Sequence, residues 1–309
     1  KMRMALPNAF FFGLTGTPIN RREHNTFSTF GTDEDEGGYM SKYTFQNSID
    51  DGATLALNFS TVPVEMKLNK DELQKEFDEL TDEISEEEKN ELVKRTSVDA
   101  FFTSDKHVNE VSKYIYNHFR EHVVTSGLKA QVVAYNRACC VKYKKAIDAL
   151  FGRDDATVIV MNTAADKAND YSDYRLSRDD EKKVLDKFRD PLSPLQIVIV
   201  TSKLLTGFDA PILQCMYLDK PMKDHTLLQA ICRTDRVYNS AKNCGLIVDF
   251  VGVFDDVAKS LAFDESTIKT VVKNIDEIKA LLPQFMNKCL DYFPGVDRTL
   301  GGWEGLQAA

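Results

Sequence analysis

The segment Q-I-V-I-V-T (196–201), running directly into S-K-L-L-T-G-F-D-A-P (202–211), decides how the rest of the chain is read. Ile197 to Val200 are apolar on both faces, as a central strand of a parallel sheet must be. The strand delivers its carboxyl end into a loop of mixed chemistry. There Gly207 permits a turn or a close backbone approach, Asp209 places a carboxylate beside it, and Pro211 forces extended backbone on Ala210. A T-G-x-D turn is common by itself. Its weight here comes from what surrounds it.

Working outward, strands alternate with helices. The spacing of Val108, Val111, Ile115 and Phe119 predicts an amphipathic helix. A-Q-V-V-A-Y (130–135) and T-V-I-V-M (157–161) read as strands, with helices near 137–150 and 179–189. Q-C-M-Y-L (214–218) and G-L-I-V-D-F-V (245–251) complete the series. Such alternation predicts an α/β fold, a parallel sheet with right-handed crossovers. Toward the amino terminus, F-F-F-G-L-T (10–15) suggests a buried strand leading into T-G-T-P, and A-T-L-A-L-N-F-S (53–60) another strand. Residues after about 263 are expected to be helical, with Ile268, Val271, Val272, Ile275 and Ile278 at helical spacing.

One strand beyond the T-G-F-D loop lies Q-A-I-C-R-T-D-R (229–236). On a continuous helix, Gln229, Arg233 and Arg236 fall at i, i+4 and i+7 and project from one stripe. Leu227, Leu228 and Ile231 lie largely off that stripe and can anchor the helix. Two guanidiniums and an amide so arranged suit bidentate recognition of phosphate oxygens. For an isolated helix, a solvated polar face explains the same residues. The strand-end T-G-x-D one strand earlier favours the phosphate reading.

This pairing resembles motifs V and VI of superfamily 2 helicases and translocases, and T-G-T-P (15–18) resembles their motif III. The closer similarity is to the restriction and motor (R) subunit of type I restriction–modification enzymes. It is carried by A-L-P-N-A-F-F-F-G-L-T-G-T-P-I, Y-T-F-Q-N-S-I-D-D-G-A-T, L-L-T-G-F-D-A-P and Q-A-I-C-R-T-D-R-V-Y. The resemblance implies a RecA-like second motor domain in an ATP-driven translocase of double-stranded DNA that also carries an endonuclease. Methyltransferase and specificity subunits are the implied partners, and ATP with Mg²⁺ the implied cofactors of the longer protein. Arg233 and Arg236 would be the motif VI arginines, at least one of them a finger on the γ-phosphate, with Gln229 fixing their helix at the interdomain cleft. Gly207 and Asp209 would couple nucleotide state to DNA grip, and Thr15 and Thr17 would sit where a first motor domain senses hydrolysis. Asn136 and Arg137 match the motif IV region, where a helix N-terminus could hold a DNA phosphate. Ser202 and Lys203 are further phosphate-contact candidates. Two positions depart from the family pattern: Cys232 stands where Gly or Ala is usual, and Asp235 places a carboxylate between the arginines. The carboxylate could orient a guanidinium or partly neutralise it.

The implied division is the end of a first RecA-like domain (1–20), a connector with an acidic helical insertion (21–105), a second RecA-like domain (106–262) and a C-terminal helical region (263–309). The sequence holds no G-x-x-x-x-G-K-[ST] P-loop and no Walker B acid, so it is expected to be part of something longer and to bind nucleotide weakly alone. Alternatives are another superfamily 2 helicase or remodeller, or a docking module without catalysis.

The bulk properties fit. A content of 43% hydrophobic and 28% charged residues is that of a globular protein, and no apolar run approaches the roughly 20 residues that span a bilayer. The net charge is −9, but residues 70–95 contribute −6 of it through eleven acidic and five basic side chains. That segment is expected to be a solvated helix pair or an insertion, and the remainder is nearly neutral. Because a phosphate backbone senses charge within about 8–10 Å, the overall acidity excludes nothing. Six cysteines without a C-x-x-C pair suggest free thiols in a reducing cytoplasm, and no metal site is expected. H-F-R-E-H (118–122) fits the H-x-x-E-H zinc-protease pattern. Yet His122 is expected on the same face as Val108, Val111, Ile115 and Phe119, where a packed or edge histidine accounts for it.

Overall fold

A computed structural model of the chain describes residues 5–6, 8–14, 26–31, 38, 40–62, 99–162, 171–222, 224–251, 272–274 and 281–284. Among the described residues, seven strands form one sheet: β1 (Ala56–Thr61), β2 (Lys129–Ala134), β3 (Thr157–Ile159), β4 (Ile197–Val200), β5 (Leu213–Asp219), β6 (Cys244–Asp249) and β7 (Val272–Asn274). Their order is β3-β4-β2-β5-β6-β1-β7, and every pairing is parallel. The strand expected at 196–201 is β4, buried along its whole length and flanked by β3 and β2. The expected α/β fold, a parallel sheet flanked by helices, is what the chain adopts.

The helices are α1 (Thr26–Phe30), α2 (Phe45–Asp50), α3 (Asp105–His122), α4 (Arg137–Phe151), α5 (Arg178–Arg189) and α6 (Asp224–Ile231). Their ends follow from local chemistry. The Ser104 hydroxyl accepts from the His107 N–H to start α3, Asn136 accepts from Cys139 to start α4, and Ser177 accepts from Asp180 to start α5. Asp179, Asp180 and Glu181 occupy the first turn of α5, with Lys187 and Arg189 in the last, so the charges complement the helix dipole. Gly152, at φ 68°, closes α4 in the left-handed conformation that glycine tolerates. The predicted stripe Val108, Val111, Ile115 and Phe119 is buried.

Right-handed crossovers place α3 and α4 on one face of this sheet, and α5, the 201–212 connection and α6 on the other. The contacts agree. Helix α3 packs on α4. Arg189, ending α5, donates Nε to the Asp209 carbonyl at 3.0 Å, and Arg233, just past α6, reaches the carbonyls of Leu205 and Phe208 at 3.3 Å.

Three expectations are corrected. Residues 10–14 form no strand: Phe10, Phe12 and Leu14 are 73%, 61% and 90% exposed. An extended segment becomes a strand only when a neighbour takes its backbone hydrogen bonds, and no described strand runs beside this one. Val272–Asn274, expected in a helix, is β7, pairing in parallel with Leu57–Phe59 of β1. The outer edge of β1 offers unpaired backbone groups that a short extended segment can satisfy. Strand β7 lies outside β1, which in turn lies beside β6. Residues 70–95 lie outside the described residues, as does most of 263–309.

The third correction concerns residues 229–236. Helix α6 ends at Ile231, and its last turn tightens, with the Arg233 N–H on Ala230 O and the Thr234 N–H on Ile231 O. The Thr234 hydroxyl also donates to Ile231 O at 2.8 Å. Thr234 and Asp235 are buried and Gly245 of β6 lies beneath them, so the chain is drawn off the helix axis. A Cβ at Gly245 would sit 2.5 Å from Thr234 Oγ1 and 2.8 Å from Leu57. Gly245→Ala is therefore expected to cost about 1–3 kcal/mol through overpacking. Urea unfolding midpoints measure it, and an unchanged midpoint would show that the contact relaxes freely.

Candidate functional site

The arginines gather at the amino ends of the strands. Arg236 forms an isolated antiparallel bridge with Thr54, and the Leu55 N–H donates to Asp235 O at 2.7 Å, immediately before β1. The buried Lys242, preceding β6, donates Nζ to the carbonyls of Pro211 (2.7 Å), Leu213 (2.8 Å) and Arg236 (2.7 Å). The segment bearing Arg236 is thus tied to the starts of β1 and β5. Gln229, Arg233 and Arg236 share no single stripe, because only Gln229 lies within α6.

The two arginines differ in commitment. Arg233 spends Nε on Leu205 O and Gln229 O and Nη1 on Phe208 O, stapling the T-G-F-D loop to the end of α6. Arg236 lies with its Nε 3.6 Å from Asp209 Oδ1. That is an ion pair beyond hydrogen-bond reach, and the Nε finds no acceptor among the described residues. The Arg236 side chain as a whole is 44% exposed, although the Nε itself is buried. Gly207 takes φ 72°, a turn conformation that glycine permits, and Leu204 in the same loop adopts φ 68°, which is uncommon for a side chain of that size. Leu205, Phe208 and Ala210 are buried and hold the loop against the sheet.

Asp235 does not sit on the arginine surface. It is 2% exposed, and its Oδ1 lacks a partner among the described residues. Burial pushes its carboxyl up to about 6, against the pull of Arg236, Lys242 and Arg233. The Cys232 thiol is pushed up to about 12 by burial, so the cysteine acts as a packed apolar group.

A second group of candidates occupies the opposite, carboxyl ends. Asn136 caps α4 just beyond β2, with its Oδ1 accepting from the Cys139 N–H at 2.9 Å, and Arg137 opens the helix. Ser202 is exposed just beyond β4. Lys203 is paired with Glu181 and so is partly neutralised. Lys220, following β5, donates to Thr201 O at 3.1 Å. Beneath this end lies a network that no sequence motif marks. Asp219, fully buried, takes His107 Nε2 at 2.8 Å on one oxygen and the Tyr143 hydroxyl at 2.5 Å on the other, joining α3, α4 and β5. Thr15 and Thr17 lie outside the described residues.

In H-F-R-E-H, the residue packed inward is His118, not His122. His118 Nδ1 meets the Tyr217 hydroxyl at 2.8 Å, while the side chains of His122 and Glu121 are 58% and 70% exposed. Helical geometry turns position 118 toward β5 and leaves position 122 at the helix end. Among the described residues no group of three His, Cys, Asp or Glu side chains could hold a metal ion. No described helix is long and apolar enough to cross a membrane.

Residues 43–252 match the sequence family described as type I restriction enzyme subunit R domain 3. The chain belongs to the type I restriction enzyme R-subunit family. It is 36% identical over 278 residues to the type I restriction enzyme HindI endonuclease subunit of Haemophilus influenzae, covering 87% of this chain and 25% of that one. It is 30% identical over 300 residues to a Methanocaldococcus jannaschii chain assigned as the MjaIXP endonuclease subunit, covering 96% and 28%. The chain thus spans about a quarter of the length of these relatives. A solved fragment assigned as the HsdR subunit of a type I restriction enzyme from Vibrio vulnificus shares the fold. Its TM-score is 0.55 at 16% identity, over 84% of this chain and 42% of that one.

Within this R-subunit domain, Asp235 has a measurable signature. Its folded-state pKa is raised, so between about pH 4 and 6 the folded protein keeps a proton that the unfolded chain releases. Stability from this group is complete below that window and lost as pH rises through about 6. Asp235→Asn is expected to stabilise the protein by about 1–3 kcal/mol at pH 7.5, and by roughly 1 kcal/mol less at pH 5. Unfolding midpoints at the two pH values check it, and a gain independent of pH would contradict a buried carboxylate.

Proposed function

We propose that this chain is part of the motor of a type I restriction R subunit, in which ATP hydrolysis is coupled to translocation along double-stranded DNA before cleavage. Methyltransferase and specificity subunits are the partners in the assembled enzyme. The observation that carries the reading is the contrast between Arg233, bound to carbonyls of the T-G-F-D loop, and Arg236, half-exposed with an unsatisfied Nε.

A half-exposed arginine whose guanidinium is held by Asp209 only at 3.6 Å fits the terminal phosphate of a nucleotide. Bound ATP with Mg²⁺ supplies the phosphoanhydride whose cleavage releases the energy. Arg236 offsets charge on the transferred phosphoryl, an effect worth a factor of about 10³–10⁵ in nucleotide hydrolases. Arg233 braces the loop, and Asp209 holds the Arg236 guanidinium until a phosphate competes for it. The phosphate cradle is not among the motifs of this sequence, so the chain contributes the arginine side of the site. Thr15 and Thr17 belong to the proposed first motor domain.

At the carboxyl ends, the first-turn N–H groups of α4, with Arg137 and Ser202, suit DNA phosphates. Lys203 contributes less because Glu181 already pairs with it. The connection 201–212 touches both ends: it begins beside Ser202 and ends beside Asp209 and Arg236. It is the proposed mechanical link between nucleotide state and DNA grip.

The test uses the full-length R subunit in its complex. Arg236→Ala is expected to lower DNA-stimulated ATP hydrolysis by about 10³-fold or more while nucleotide affinity changes little. Unchanged turnover would remove Arg236 from catalysis. Arg137→Ala should weaken DNA binding alike on all sequences and reduce the salt-dependence slope by about one.

A further inference from the structure

Lys242 carries a charge where a filled apolar space would serve packing as well. It is 3% exposed, and its three N–H groups meet three backbone carbonyls at 2.7–2.8 Å, so its donor capacity is used in full. Two acceptors, Pro211 and Leu213, lie at the start of β5, two and four residues after Asp209. The third is the carbonyl of Arg236. The Arg236 main chain is therefore fastened to the segment whose Asp209 carboxylate faces the Arg236 side chain at 3.6 Å. Removing the ammonium frees three buried carbonyls and releases one segment from the other.

We infer that Lys242 is a positioning residue for Arg236, its protonated amine locking the Arg236 backbone to the start of β5 and so setting where the guanidinium projects. This rests on the reading of Arg236 given above. A neutral amine has only two N–H groups, so deprotonation leaves one carbonyl without a donor. Burial pulls the ammonium down to about 8. Asp235, Cys244 and Asp209 oppose that shift, and Arg236 adds to it. The alkaline loss of the third bond consequently falls within a measurable range.

The sign of the stability effect separates positioning from mere support. The folded-state pKa lies below the unfolded value of 10.5, so from about pH 8 upward the folded protein holds fewer protons than the unfolded chain. The stability contribution of this lysine therefore rises across that window. Positioning of Arg236 weakens over the same range. Turnover and stability move in opposite directions, which a purely structural lysine does not produce.

The experiment measures kcat and KM for DNA-stimulated ATP hydrolysis from about pH 6.5 to 9.5. It uses the assembled full-length enzyme as wild type, Lys242→Met, Lys242→Arg and Arg236→Ala, with thermal unfolding followed in parallel. Wild-type kcat is expected to fall several-fold above about pH 8 with KM nearly constant. Lys242→Met should lose about ten- to hundredfold in kcat at pH 7.5 and lack the alkaline fall. Lys242→Arg keeps its charge past pH 12 and should also lack that fall. If Lys242→Met retains the wild-type rate and profile while Arg236→Ala is inactive, the positioning inference fails and the reading of Arg236 stands. If Arg236→Ala turns over normally, both fail. Should Lys242→Met not fold, Lys242→Arg decides: an alkaline fall persisting near pH 8 overturns the inference.

Discussion

Every strand of the sheet runs the same way, so each connection must carry the chain from the carboxyl ends back to the amino ends. Most do so with a helix. The link from β4 to β5 does so with the twelve residues 201–212, which contain no helix and pass β2 on the way. A segment that crosses the sheet with little hydrogen bonding of its own, the Leu205 N–H to Ser202 O turn bond aside, must be held by its surroundings. Buried Leu205, Phe208 and Ala210, the Arg233 bonds and the Arg189 bond to Asp209 O supply that hold. One stretch of backbone thereby touches both groups of candidate residues, and helical stiffness does not isolate them from each other.

Charge burial concentrates where this connection ends. Asp235, Lys242 and Lys129 are each nearly excluded from solvent near the amino ends of the strands. The lysines meet their cost by donating to carbonyls that would otherwise be orphaned. Lys129 serves Lys187 O and Asp190 O at the end of α5, and Lys242 ties the starts of β5 and the arginine segment. Asp235 has only partial compensation, and its raised pKa is the consequence. Asp235 directly precedes Arg236 and Lys242 binds the Arg236 carbonyl, so buried charge adjoins the arginine segment.

The fold was legible from hydrophobic pattern because a buried parallel strand cannot disguise itself. Four consecutive apolar β-branched residues at 197–200, and the 3.6-residue period of Val108, Val111, Ile115 and Phe119, each permit few alternatives. Segments at the margins were less legible. Residues 10–14 have a strand's composition without a neighbour to pair with. Val272–Asn274 has a helix's spacing but joins an open edge of β1. At the candidate site the residue types and the need for glycine at 207 were readable. The helical stripe was not, because nothing local reveals that Thr234 and Asp235 will be buried over Gly245 and break the helix at Ile231.

By itself, then, the order of residues determined the parallel α/β architecture, the glycine turn and the family, since these depend on periodicity and on short motifs. Tertiary structure alone decided which arginine is spent on carbonyls and which keeps a free donor. It also decided that the arginines and the Asn136 helix end lie at opposite ends of the strands, and that Lys242 joins the Arg236 segment to β5. Those outcomes depend on contacts between residues up to dozens of positions apart, whose partners are chosen by strand order and register, and no local pattern encodes that choice.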